Sequence, residues 1–361
     1  MNKEIDFRGF PTTRYQGSKR KILPWIYEVL KDVEFETVLD AFGGTASVSY
    51  LFKKMNKSIT YNDKFKFNYL IGKALIENKN TKLNENDINI INSNNEGFYY
   101  YDFIQKNFKD IYYLQKENKW LDHIISNIIQ MNHYSDKVLQ YKKALAYYSL
   151  FQACLMKRPY NLFHRKNLSL RINNVARTFG NKSTWDKPFD DLLNRSINEV
   201  NDLVFTSDKK CKAINKSVFD IKETGYDLVY LDPPYIRRKR TNDTSDYLKC
   251  YHFLEGISQY RTWGNYIDFD TINLRFKTSL SNDDFTKTKI KTSFERLFDI
   301  FSDSIIVVSY KCGGYPSIDY LIKLLNKFKG KVYSRSKPYI YALNHQNGDA
   351  KNNREVLIIG V

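Results

Sequence analysis

Two rhythms of apolar and polar positions run through this chain. Short solid runs, Val38-Leu39, SITYND at 58–63, LVYL at 228–231, SIIVVSY at 304–310 and EVLIIGV at 355–361, are too short for helices. They read as strands buried on both faces. Between them the spacing widens to three and four. Ile22, Leu23, Ile26, Val29 and Leu30 recur on one side, and helical patterns also cover the residues after Ala46, KFKFNYLIGKALIEN at 64–78, and about 98–156, 247–263, 283–301 and 317–328. Residues 144–156 are nearly apolar but interrupted by Ser149 and Gln152, which predicts a buried helix rather than a membrane span. Residues 332–334 are expected to pair with the closing strand, and residues 210–222 hold a further strand and turn. Asparagine-rich residues 78–97 read as an exposed connection. Strands alternate with helices on either side of a long helical stretch, so the expected fold is α/β, a doubly wound sheet interrupted by an inserted, mainly helical lobe.

Charge narrows the partner. Across 361 residues, 57 Lys and Arg face 40 Asp and Glu, a formal net charge of +17, which fits a polyanion, nucleic acid first and an acidic membrane surface second. Between residues 157 and 182 there are seven basic side chains and no acid. Arg158, Arg165, Lys166, Arg171 and Arg177 are interleaved there with Tyr160, Phe163 and Phe179, the residue types that hold phosphates, read base edges and wedge between bases, and this segment is expected to contact DNA. A second basic run, Arg237, Arg238, Lys239 and Arg240, follows the LVYL strand and could clamp phosphates. Cys154, Cys211, Cys250 and Cys312 form no CxxC pair, which argues against a disulfide framework or a zinc knuckle and for a reducing cytoplasm. No metal is expected.

The candidate chemistry lies in DLVYLDPPY at 227–235. Two prolines end the strand, leaving Asp232, Pro233, Pro234 and Tyr235 at its carboxyl end, where open α/β sheets bind ligands. The exocyclic amine of a base is a poor nucleophile because its lone pair is delocalised into the ring. The Asp232 carboxylate and the Pro233 carbonyl, accepting its two hydrogens, would stabilise the positive charge that grows as it attacks a sulfonium methyl. The target base must leave the duplex, and Tyr235 offers a face on which it could stack.

Other strand ends supply a second set. VLDAFGGTAS closes a strand on Asp40 and turns through Gly43 and Gly44, letting a ligand approach the backbone. Asp63 follows about 20 residues later, the separation expected of an acid that binds ribose hydroxyls, and it could equally cap the next helix. Phe219 and Asp220 suit either an adenine site or a core ring with a capping acid. Gly17 and Ser18 precede a helical turn carrying Lys19, beside amides that could hold an anion.

In order, RYQGSK, VLDAFGGTAS, YND, the basic helical insertion, VFD and LDPPY resemble the Dam-type DNA adenine methyltransferases over nearly the whole chain. The resemblance implies a Rossmann-like catalytic domain formed by residues 1–79 and 205–361, a target-recognition domain at 80–204, and S-adenosylmethionine as cofactor, leaving as S-adenosylhomocysteine. It implies that Tyr15, Gly17, Ser18 and Lys19 approach the cofactor, that Asp40, Phe42 and Gly44 line its methionine side, and that Asp63 takes the ribose. It further assigns Phe219 and Asp220 to the cofactor adenine, Asp232 to the cofactor as well as the target base, and Arg14 to DNA. Ala46 stands where the family's FxGxG turn ends in glycine, and Tyr15 where tryptophan is more usual. Double-stranded DNA is the implied partner, a separate restriction endonuclease a further one, and the expected protein is a bacterial cytoplasmic monomer or weak dimer. Methylation of a cytosine amine or of an RNA base, and a non-catalytic binding module on the same fold, are the competing readings.

Overall fold

The computed structural model describes residues 5–12, 17–173, 182–234, 236–237, 247–277, 284–338 and 354–361. Strands β1 (Thr37–Asp40), β2 (Ser58–Asn62), β3 (Cys211–Ile214), β4 (Leu228–Leu231), β6 (Ile305–Lys311), β8 (Val332–Pro338) and β9 (Arg354–Gly360) make one sheet in the order β3-β2-β1-β4-β6-β9-β8. The first five run parallel to one another, while β9 runs antiparallel to both β6 and β8. β5 (Ile236–Arg237) and β7 (Gly314–Tyr315) form a separate small pair.

The apolar runs explain the sheet's double cover. Along β1 and β4, Val38, Leu228 and Tyr230 join one hydrophobic cluster, whereas Leu39, Val229 and Leu231 join another, as a period of two requires. The first face is covered by α1 (Leu23–Leu30), α2 (Ser47–Lys54) and α3 (Lys66–Gly72), the second by α12 (Ile290–Ile300) and α13 (Ile318–Leu325). The chain builds outward from β1 through β2 to β3, then returns to place β4 on β1's other side. The β1/β4 junction is therefore the topological switch point, where neighbouring connections diverge and leave a crevice.

Between β2 and β3 lie α4 (Glu85–Asn92), α5 (Phe103–Asn107), α6 (Gln115–Gln130), α7 (Asp136–Met156), α8 (Ser169–Ile172), α9 (Lys182–Trp185) and α10 (Phe189–Leu203). Residues 144–156 of α7 are all buried, as their composition predicts. No helix among the described residues is long and apolar enough to cross a membrane.

Two expectations change. Residues 78–97 are not simply an exposed connection, because Asn84 and Asp87 form a reciprocal capping box (2.9 and 2.8 Å) that starts α4, and buried Asp87 pairs with Lys142 of α7. Nor are the helices a separately cored lobe. One hydrophobic cluster runs from the sheet's first face through α6, α7 and α10, and it includes Phe253 and Trp263 from α11 (Tyr247–Ser258) and the turn after it.

Candidate active site

Three neighbouring strands deliver acids to one place. β1 ends on Asp40, β2 runs into Asp63, and β4 leads into Asp232. Lys19, Gly43 and Tyr247 line the same cavity as these three carboxylates. The position follows from the topology: the rims of β2, β1 and β4 are adjacent, and the crevice opens at the switch point.

The glycine turn is built around one ring. Tyr61 of β2 is fully buried, and its hydroxyl donates to the carbonyls of Gly44 (2.7 Å) and Asn68 (3.0 Å). Gly43 and Gly72 lie against this ring, where a Cβ would come within 2.1 and 2.3 Å of its carbons. The Gly43 amide donates to the Asn62 carbonyl at 2.8 Å, which ties the turn to β2. Glycine at 43 is thus required by close packing. Ala46, ending the turn, has φ +61°, a left-handed conformation that costs an L-residue about 1–2 kcal/mol and that glycine adopts freely.

Burial sets the charges. Asp40 is pushed up to about 7 by burial, against the Ser49 hydroxyl that donates to it at 2.6 Å, and nearby Asp232 and Asp63 push it further. Asp63 is pushed up to about 6, again chiefly by burial, while the amides of Phe65 (2.8 Å) and Gly44 (2.9 Å) donate to its two oxygens and hold it down. Desolvation outweighs hydrogen bonding at both sites. Lys19 enters from a short 3-10 turn behind Ser18, and its ammonium lies 3.0 Å from Asp232 and 2.8 Å from Glu355 of β9.

A family model described as D12 class N6 adenine-specific DNA methyltransferase matches residues 15–302. The chain belongs to that family. It is a DNA methyltransferase of the adenine-N6 class, as its motif order suggested, and methyltransferases of this family use S-adenosylmethionine. Type II methyltransferase M2.HphI of Haemophilus parahaemolyticus is 26% identical over 359 residues, spanning 97% of this chain and 98% of its own. Modification methylase LlaI of Lactococcus lactis subsp. lactis is 25% identical over 373, spanning 96% of this chain and 54% of its own.

Within this methyltransferase the sequence-derived candidates fall into four groups. Gly17, Ser18, Lys19, Asp40, Phe42 and Gly44 lie along the cavity wall with Asp63, and Asp232 and Pro234 face them; Pro233 is buried between those two. Arg14, Tyr15, Arg177, Tyr235 and Arg238 lie outside the described residues, as do the side chains of Tyr160 and Arg237.

The third group is displaced. Phe219 and Asp220 do not line the cavity: they sit in a 3-10 turn (Val218–Asp220) that sends Val218 towards it. Phe219 instead stacks on Phe285 (6.1 Å between centroids) beneath the Arg296 guanidinium, and Asp220 is exposed.

Arg158 is corrected from DNA contact to internal brace. It is 1% exposed, lies on the Tyr112 ring, and donates to the carbonyls of Leu162, Arg165 and Lys166 (3.2, 2.6 and 2.7 Å). Arg171 is likewise engaged internally, its guanidinium donating to both oxygens of Glu117 at 2.8 Å. Phe163, one of the interleaved rings, stacks on Phe253 in the core. Arg165 and Lys166 remain exposed, presented by the loop that Arg158 gathers.

Sequence reasoning missed Tyr247, Phe285 and Glu355. Tyr247 opens α11 and lines the cavity, but nothing local marks it among 28 tyrosines. Phe285 also lines it, from the turn before α12. Glu355 did carry a signal, since a lone acid heading an apolar strand is costly to bury without a partner.

Proposed function

We propose that this protein methylates the 6-amino group of an adenine extruded from double-stranded DNA, with Asp232 and the Pro233 carbonyl accepting the amine's hydrogens and Tyr235 stacking on the base. The observation that carries the reading is that Asp232, at the end of β4, opens into the same cavity as the Gly43 turn and Asp63. The donor set suits the cofactor: Asp40 matches an ammonium, Asp63 vicinal hydroxyls, and Val218 and Phe285 an adenine ring. When bound, S-adenosylmethionine supplies a methyl carbon on a cationic sulfur. Asp232 would draw electron density onto the adenine nitrogen as its lone pair formed the new N–C bond and the methyl's C–S bond broke, its electron pair returning to sulfur to leave neutral S-adenosylhomocysteine, and the nitrogen's surplus proton would leave by way of that carboxylate to water. Pro233 and Pro234 hold the acceptors rigid, so no reorganisation is needed as charge develops.

The helical insertion, residues 80–204, would carry target recognition, and the exposed Arg165 and Lys166 together with the basic run from Arg237 would grip phosphates. Replacing Arg165 and Lys166 with Ala is expected to weaken DNA binding and lower the slope of log affinity against log salt by about one to two charges' worth. Fluorescence anisotropy across a salt series measures it, and an unchanged slope removes both from the interface. By analogy with the relatives' names, the protein would act as the modification arm of a restriction-modification system in a bacterial cytoplasm, alongside a separate endonuclease and as a monomer or weak dimer.

Cofactor affinity is expected to depend on pH. Asp63 and Asp40 must be ionised to accept hydroxyls and an ammonium, and burial raises them to about 6 and about 7 in the free protein. Acidification protonates both, so affinity falls roughly tenfold per unit for each group below its own value. Calorimetric titration between about pH 8 and about pH 5.5 follows this. A flat profile excludes these acids from the cofactor site.

The deciding experiment is incubation of plasmid DNA with labelled S-adenosylmethionine, base analysis, and mapping of modified positions. N6-methyladenine at a fixed sequence is expected. N4-methylcytosine, or label entering only RNA, overturns the reading.

A further inference from the structure

From Tyr266 to Lys277 the chain doubles back as a closed turn rooted in the core. The Asp268 amide donates to the Arg275 carbonyl and the Lys277 amide to the Tyr266 carbonyl, each at 2.8 Å, with Ile267 bridged to Phe276 between them. Thr271 locks the tip: its hydroxyl donates to the Asp268 carbonyl (2.7 Å) and accepts from the Arg275 amide (3.1 Å). Ile267, Leu274 and Phe276 are buried, whereas Phe269 and Ile272 stand 58% and 76% exposed. Turn tips are normally polar, so two large apolar side chains held out on a braced loop mark a contact surface.

We propose that this turn is a second DNA-reading element, outside the helical insertion, whose Phe269 and Ile272 enter a groove of the duplex and meet bases. What it sits against decides the partner. The Asn273 side-chain amide donates to the Phe163 carbonyl (3.2 Å), and the Tyr112 hydroxyl lies 3.0 Å from the Asn273 carbonyl and 2.7 Å from that of Phe163. The Phe163 amide in turn donates to the Cys250 carbonyl (2.9 Å) of α11, the helix whose Tyr247 and Leu248 line the cavity. Cavity wall, turn and the loop that presents exposed Arg165 and Lys166 are thus joined by successive hydrogen bonds. Exposed Ile172 ends α8, the helix that continues from that loop. Phosphates do not suit the tip, which carries Asp268 and the exposed Asp270. Bases do: an apolar side chain packs on a thymine methyl or wedges between base steps, and a carboxylate accepts from the cytosine amine. The basic loop would hold the backbone while the tip reads.

This inference rests on the DNA-methylating reading above, and the test separates their failures. The probe is a fluorescent duplex carrying a site mapped by methylation of plasmid DNA, beside the same duplex with one base pair of the site changed. Phe269→Ser combined with Ile272→Ser should weaken binding to the mapped site by about tenfold or more and shrink its preference over the changed duplex. The slope of log affinity against log salt should stay as in wild type, because no phosphate contact is lost, unlike the Arg165 and Lys166 substitutions. Cofactor affinity should be unchanged, since both side chains are exposed and neither lines the cavity. Phe269→Leu combined with Ile272→Val, which keeps the apolar surface, should recover most of the loss. Wild-type affinity and preference in the double-serine variant overturn the proposal. So does a wild-type dimer that the double-serine variant dissociates in sedimentation with DNA binding unaltered, because the tip would then serve a second copy of this chain. If the wild type methylates no fixed DNA sequence, the functional reading fails and takes this proposal with it; if it does, an unaltered double-serine variant confines the failure to the turn.

Discussion

Asp232→Asn is expected to lower the single-turnover rate of methyl transfer by about a thousandfold or more while leaving cofactor and DNA binding within a few-fold of wild type. Removing one preorganised acceptor costs roughly 10²–10³ in comparable sites, and asparagine removes the negative charge as well and can turn a donor toward the amine. The fold should survive. About 20% of the Asp232 side chain is exposed, and Lys19, its buried partner, still has Glu355 at 2.8 Å. A buried cation left wholly unpaired would instead cost several kcal/mol. Rapid-quench kinetics with equilibrium binding separates the cases: comparable turnover removes Asp232 from the chemistry, and lost binding makes it a ligand-holding residue.

Gly43→Ala should be the most damaging single-methyl addition near the cofactor. The new Cβ would fall 2.1 Å from the Tyr61 ring, which cannot retreat because Gly72 lies against the Cδ1–Cε1 edge opposite and two carbonyls fix its hydroxyl. The strain therefore passes to the turn, which moves the Gly44 amide away from Asp63. Overpacking of this kind costs about 1–3 kcal/mol, and cofactor affinity should fall by at least about tenfold as the turn shifts. Chemical denaturation and calorimetry test the two halves. Unaltered affinity in a folded variant would show that the turn does not shape the cofactor site.

Much of the frame was legible because burial on both faces forces unbroken apolar runs. Val38-Leu39, LVYL and SIIVVSY became β1, β4 and β6, and the acids at the carboxyl ends of β1 and β4 line the cavity. What composition could not tell is which way a charged side chain turns. Arg158 and Arg165 look alike in a basic run, yet one meets carbonyls inside and the other meets water, because Arg158 follows directly on the buried end of α7. Phe219 and Val218 exchanged roles for a similar reason, a tight turn rotating successive side chains by about a third of a circle. The asparagines of α4 were helix caps as well as solvent-facing residues, a distinction that needs the reciprocal Asn84–Asp87 bonds to be seen. Glu355 and Lys19 are neighbours only through the folded sheet, so local spacing carries no trace of the pair.

β9 inserts between β6 and β8, and it alone carries Glu355. During translation, every other described part of the site, from Lys19 through Asp232 to Phe285, leaves the ribosome before this strand does. Until β9 slots in, β6 presents a bare edge and Lys19 lacks its innermost partner. Completion of the site is therefore tied to the docking of β9, a strand distant in sequence from the other walls of the cavity.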